Sequence, residues 1–205
     1  MEMIHYKASD LLLLATKLAD LENTAFISSE ENRSYINNAW AEIYQQAIDN
    51  GELFYLNSTT LHQGENTLPE DFHQVYNVKD HNWNPLPRYN KDMRKSDVYY
   101  KIMNNKIYIN GKDDVELEYF PAPATLEVEG TGDVELDFPN NIYKQLLVLR
   151  LAEYYKIRQD GDISGIELLI DGAWKQFYDM LRRDDNQYGV IQDVNNVNRV
   201  YGIFD

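Results

Sequence analysis

Cysteine is absent from the 205-residue chain. That excludes a disulfide framework, a thiolate zinc site and a cysteine nucleophile. Histidine is scarce. The four residues, His5, His62, His73 and His81, show no metal-ligand spacing such as H-E-x-x-H, and their rarity argues mildly against acid–base or metal chemistry. Long apolar runs are missing too. Leu11–Ala15 is the longest strongly apolar stretch, far short of the roughly 20 residues that cross a bilayer, so no membrane association is expected. Residues 1–7 carry neither a basic start nor a small-residue cleavage site, so the expectation is a soluble protein made in the cytosol. Without a secretion signal, the Asn-x-Ser/Thr triplets at Asn32 and Asn57 carry little information. No G-x-S-x-G, P-loop or G-x-G-x-x-G string occurs, and nothing in the chain calls for a cofactor.

Acidic residues, by contrast, are plentiful. The chain has 34 Asp and Glu against 19 Lys and Arg, a net charge of −15. Such a surface does not grip nucleic-acid phosphates in general. Hydrophobic content of 43% and charged content of 26% mark a globular chain. Tyrosine (16) and asparagine (20) are also frequent, and both suit adaptable contacts between surfaces.

The hydrophobic period changes along the chain. Helical spacing runs from Ser9, a candidate N-cap, to about Asn23, with Leu11, Leu14, Leu18 and Leu21 on one stripe. A second helix opens at Ser28, where Ser28 and Glu31 have capping-box spacing. It carries Tyr35, Ile36, Ala39, Trp40, Ile43, Ala47 and Ile48 to the stop signal Asn50-Gly51. Between Leu53 and Phe138 the period shortens to two. Strands are expected at Val75–Val78, at Val98–Met103 and Lys106–Asn110 around the two-residue turn Asn104-Asn105, at Val115–Phe120, at Leu126–Glu129 and at Val134–Phe138. Helical spacing returns over about Asn140–Gln159, with Ile142, Leu146, Leu149, Ala152 and Ile157. It returns again over about Ser164–Arg183, with Ile166, Leu169, Ile170, Ala173, Phe177 and Leu181. The tail shows no clear helical period, yet it is studded with apolar residues.

Two helices alone bury their stripes poorly, so the first pair is expected to pack against the last. The implied class is α+β: a four-helix bundle with an inserted antiparallel β region and an extended C-terminal arm. The expected boundaries are 1–52 for the N-terminal helix pair, 53–139 for the β insertion, 140–183 for the C-terminal pair and 184–205 for the arm.

The charge is unevenly placed: −6 over residues 1–52, −7 over 53–139 and −2 over 140–205. Residues 113–137 hold nine acids and no Lys or Arg. Within them, Glu116 and Glu118, Glu127 and Glu129, and Glu135 and Asp137 alternate with apolar residues. Period two places the acids of each strand on one sheet face. The preceding stretch is basic, with Arg88, Lys91, Arg94, Lys95, Lys101 and Lys106 opposed there by Asp92 and Asp97. Three readings follow: a solvated acidic face beside a basic loop, head-to-tail association of subunits through the two patches, or acids lining a passage for DNA.

Asp160-Gly-Asp162-Ile-Ser164-Gly165, followed by Asp171, has the spacing of a calcium loop. Against that, its last ligand is a short Asp, and Ile166, Leu169 and Ile170 read as the start of the fourth helix. A plain helical joint capped by Asp162 or Ser164 is favoured. Trp40 and Trp174 read as core, and Tyr99, Tyr100 and Tyr108 as cross-strand packing. Trp83, near Pro85 and Pro87, is the better candidate for an exposed contact.

Several strings together resemble a family. Leu68-Pro-Glu-Asp-Phe-His-Gln-Val-Tyr76, Asn104-Asn-Lys-Ile-Tyr-Ile-Asn-Gly111 and Leu117-Glu-Tyr-Phe-Pro-Ala-Pro-Ala-Thr-Leu126 are similar to the β insertion of tailed-bacteriophage head–tail adaptors, also called connector or head-completion ring proteins. Pro139-Asn-Asn-Ile-Tyr-Lys and Leu149-Arg-Leu-Ala-Glu-Tyr-Tyr155, followed by a turn and a second helix, resemble that family as well. The likeness spans about Ser9–Arg183 and includes the element order. It implies a non-enzymatic virion protein, assembled in the host cytoplasm and located at the head–tail interface. Such proteins form a homo-oligomeric ring, usually a dodecamer, beneath the portal protein. The ring extends the channel for double-stranded DNA without binding it specifically, and it docks a downstream tail or nozzle protein. The resemblance also implies an arm that reaches the portal. Here that arm is Tyr188, Val190, Ile191, Val194, Val197, Val200, Tyr201, Ile203 and Phe204. Candidate subunit-interface or channel residues are Arg88, Arg94, Lys95, Lys101, Glu116, Glu118, Glu127, Glu129, Glu135 and Asp137. The alternatives from other classes are a tail-associated cell-wall-degrading enzyme and a carbohydrate-binding module using Trp83 and the tyrosines.

Overall fold

The computed structural model describes residues 4–21, 27–123, 125 and 135–188. These form two compact units, one helical (residues 1–52 with 123–188) and one of β strands (from residue 53 to 122).

In the helical unit, strand β1 (Ile4–Lys7) runs directly into helix α1 (Ala8–Leu18). Lys7 occupies the N-cap without a side-chain cap bond, so the expected cap at Ser9 gives way to a strand-to-helix junction. The expected leucine stripe is also corrected. α1 buries Ala8, Leu11, Ala15 and the following Ala19, and leaves Leu13, Leu14 and Leu18 exposed. Alanines on the inner face permit close approach to a neighbouring helix. The helix stops at Leu18, and Asp20 follows in the left-handed region at φ 55°.

Helix α2 (Ser29–Asp49) begins with the expected capping box. Ser28 Oγ accepts from Glu31 N at 3.1 Å, and Glu31 Oε2 accepts from Ser28 N at 2.9 Å. Helix α3 (Asn141–Arg158) is the hub, packing against α1, α2 and helix α4 (Ser164–Tyr188). Its buried residues, including Tyr143, Leu146, Leu147, Leu149, Leu151 and Ala152, point to several sides. A helix surrounded by neighbours needs no single apolar stripe. Ile157, expected on that stripe, is exposed. Arg150 ties α3 to Glu42 of α2, and Tyr155 Oη donates to Asn32 Oδ1 at 2.7 Å.

Strand β8 (Glu135–Phe138) pairs antiparallel with β1, matching Ile4 to Phe138 and Lys7 to Glu135. It therefore belongs to the helical unit. The described strands of the β unit lie between Asn57 and Pro121. α4 extends to Tyr188, so its helix takes in residues 184–188, expected to open the arm.

The β unit holds two three-stranded antiparallel sheets. One is ordered β2 (Asn57–Leu61), β7 (Val115–Pro121), β4 (Phe72–Lys79). The other is ordered β3 (Gly64–Thr67), β6 (Lys106–Asn110), β5 (Tyr99–Met103). Leu61, Val78, Val115 and Leu117 from the first sheet share one core with Tyr100, Ile107 and Ile109 from the second. Asn104 and Asn105 turn the β5–β6 hairpin at φ 53° and 57°, the left-handed pair that a two-residue type I′ turn requires.

Candidate functional site

The acids of β7 alternate as period two requires, but they are not a free anionic face. Lys79, at the end of β4, is buried, and its ammonium donates to Glu118 Oε1 at 2.6 Å and pairs with Glu116 Oε2 at 3.3 Å. Burial opposes the charge on Lys79. Its bonds to Glu118 and Glu116 outweigh that effect and raise its pKa above the ordinary lysine value. The same ammonium lies 3.6 Å from the centre of the Trp83 ring.

The loop carrying Trp83 is built on Asp80. Oδ1 of Asp80 accepts from Asn82 N at 2.9 Å and Asn84 N at 3.0 Å, and Oδ2 pairs with Lys112 at 3.2 Å. Backbone bonds Trp83 N to Asp80 O and Asp80 N to Asn84 O, both 2.9 Å, close the turn. Chiefly through the backbone bond from Asn84, helped by Lys112 and Asn82 against the effect of burial, the Asp80 pKa falls to about 2. Trp83 sits at φ 65° and is 73% exposed, as its loop position led us to expect.

On the same unit, Arg88, Lys91, Arg94 and Lys95 are exposed, and none forms an ion pair among the described residues. Lys101 rests 5.3 Å from the ring centre of Tyr89, and Lys106 pairs with Glu65 at 2.5 Å. The basic loop therefore keeps its charge, whereas Glu116 and Glu118 share theirs with Lys79.

Glu135 and Asp137 stand on β8, which belongs to the helical unit. Asp137 Oδ1 lies 2.5 Å from His5 Nδ1. Glu127, Glu129 and the arm residues Val190, Ile191, Val194, Val197, Val200, Tyr201, Ile203 and Phe204 lie outside the described residues. Tyr188 is the last residue of α4.

The calcium-like spacing is corrected by the helix that follows it. Asp160 takes φ 53° as α3 ends, and Gly161 N donates to Lys156 O at 2.9 Å. Asp162 Oδ1 accepts from Ser164 N at 3.0 Å, and α4 then winds from Ser164 past Asp171. From Ser164 onward the residues that would wrap an ion are helical, and among the described residues no three His, Asp or Glu side chains converge.

A feature that sequence reasoning missed lies on the helical unit. Leu14 and Leu18 of α1, Lys144, Val148 and Leu149 of α3, and Leu169 of α4 line an open groove of about 530 Å³. The available signal was a surplus: α1 and α4 carry more leucines than one helix face can bury.

Comparison with protein families matches residues 7–200 to the family described as SU10 adaptor protein. The chain belongs to the SU10 adaptor protein family. This is a phage head–tail adaptor family, and membership identifies a structural role that meets other virion components. A comparison with curated proteins finds no significant match. No helix among the described residues of the adaptor is long and apolar enough to cross a membrane.

Proposed function

We propose that the adaptor assembles as a homo-oligomeric ring beneath the phage portal, carries the DNA channel onward and offers its far side to a tail or nozzle protein. The observation that carries this beyond family membership is the basic loop. In a chain of net charge −15, Arg88, Lys91, Arg94 and Lys95 remain exposed, and no described residue forms an ion pair with them. Such a loop fits an acidic neighbour and favours head-to-tail contact, the arrangement that closes into rings. Net negative charge elsewhere lets DNA pass without being held. Glu116 and Glu118, already paired with Lys79, contribute less to that repulsion than a free acidic face would.

The arm following α4 is the portal-directed element of this reading. In the sequence its apolar residues follow the last of the four helices. Deleting residues 189–205 and measuring co-sedimentation with the purified portal tests it. Lost binding with unchanged helical circular dichroism supports the arm; binding equal to that of the full chain contradicts it.

A further inference from the structure

α4 carries an apolar ridge that its own fold does not use. Ile166, Ile170, Ala173 and Phe177 are buried, and they repeat at helical spacing on its inner side. Leu168 stands on the opposite side. At 74% it is the most exposed large apolar side chain among the described residues. Gly165 and Gly172 flank it, three positions before and four after, so all three share one face. A Cβ at either glycine would meet nothing within 4 Å. Packing within the subunit therefore does not require these glycines, and a glycine inside a helix costs stability relative to alanine. What they supply is bare backbone on both sides of a projecting leucine, which lets another surface approach closely.

The groove of the same unit is the matching surface. Leu14 and Leu18 of α1, Val148 and Leu149 of α3 and Leu169 of α4 line it, and Leu14, Leu18 and Leu169 are left 39%, 38% and 51% exposed. Leucines concentrated in this way mark a surface that is covered in use. Leu168 does not fill the groove of its own chain. The next residue, Leu169, already faces that groove, and successive helical side chains are turned by about 100°. Charge favours a second copy as the occupant. The groove lining includes one charged side chain, that of Lys144. The ridge carries Glu167 and Asp171, both exposed and neither in an ion pair among the described residues. No Lys or Arg stands between Ser164 and Trp174. An acidic knob and a groove with a basic border are complementary. Knob and groove are different surfaces of one subunit, so the contact they make runs head to tail.

We infer that Leu168 of one adaptor subunit seats in the α1–α3–α4 groove of a second copy, with Glu167 and Asp171 beside the Lys144 of that copy. The inference rests on the homo-oligomer reading and adds to it a contact on the helical unit, separate from the basic loop.

The absence of native cysteine makes the contact testable between chains. Full-length Leu168→Cys and Leu18→Cys proteins are mixed at the highest soluble concentration and oxidised with diamide, and the disulfides are mapped by mass spectrometry. Leu168→Cys mixed with Asn38→Cys is the control, because Asn38 is exposed on α2. A disulfide between positions 168 and 18 of different chains, about tenfold above the control, is expected. Equal yields in the two mixtures overturn the inference, as does a dominant 168–168 disulfide, which would make the contact two-fold. Glu167→Lys/Asp171→Lys in the Leu168→Cys chain should lower the yield, and Lys144→Glu in the Leu18→Cys chain should restore it. A yield indifferent to both changes contradicts the charge pairing.

Sedimentation velocity of the full-length chain separates this contact from the reading beneath it. Leu168→Asp should weaken self-association by about tenfold, with unchanged helical circular dichroism. Wild-type self-association that Leu168→Asp leaves intact overturns this contact and spares the oligomer. A wild type that never self-associates, alone or with its portal, overturns both.

Discussion

Lys79 Nζ donates to Glu118 Oε1 across the β4–β7 pair at 2.6 Å, with only 4% of the lysine side chain and 16% of the glutamate side chain exposed. Glu116 stands on the other side of the ammonium, and Trp83 covers it. A buried ammonium held this way depends on its partners, because removing one leaves a charge in a poorly solvated place. Glu118→Gln is therefore expected to lower unfolding free energy by about 2 kcal/mol. The double variant with Lys79→Met should lose less than the sum of the single changes. Urea unfolding of the four proteins measures the coupling, and strict additivity would remove the ion pair from the account.

The same pair sets an alkaline limit. The pKa of Lys79 is higher in the folded chain than its ordinary value of 10.5, so its stabilisation is complete below that value and is lost as pH rises through the folded pKa. Urea midpoints from pH 8 to 11.5 should fall at the alkaline end in the wild type, and less steeply in Lys79→Met.

Asp80 acts at the opposite end of the scale. Its pKa drops from 3.8 to about 2 on folding, so its contribution is full above the unfolded value and disappears as pH falls from about 4 to about 2. Asp80→Asn should flatten the acid limb of stability in that window. It should also free the 80–84 turn, read as faster hydrogen exchange of the Asn82 and Asn84 amides. An unchanged acid limb would contradict the role given to the carboxylate.

The Asn104-Asn105 turn predicts a backbone effect independent of charge. Both residues adopt positive φ, which a β-branched side chain resists. Asn105→Val should cost about 1–2 kcal/mol, whereas Asn105→Gly should be neutral or stabilising. Thermal or urea unfolding of both variants checks the sign.

Much of the fold was legible before the structure. The Ser28–Glu31 capping box, the Asn-Asn hairpin, the start of α4 at Ser164 and the α+β order are local signals, each carried by a few adjacent residues. The β1–β8 pair was not legible, because β1 is four residues long and its partner lies about 130 positions away. The inner face of α1 was misread because leucines draw attention, yet close helix packing selected Ala8, Ala15 and Ala19. At the candidate site, alternation placed Glu116 and Glu118 on one face. Nothing local in the chain showed that Lys79, 39 positions before Glu118, would neutralise them.

The basic loop connects this chemistry to assembly. Arg94→Glu/Lys95→Glu should leave unfolding free energy within about 0.5 kcal/mol of wild type, because neither side chain forms an ion pair among the described residues. It should weaken subunit association, and raised salt should weaken wild-type association in the same direction. Unaltered association would remove the loop from the interface.

The most direct test of the central claim is the molar mass of the full-length chain, measured by multi-angle light scattering with and without its purified portal. The account predicts a complex holding many adaptor copies on each portal, with the free chain at lower mass. An adaptor that elutes separately from the portal at every concentration tested would contradict it.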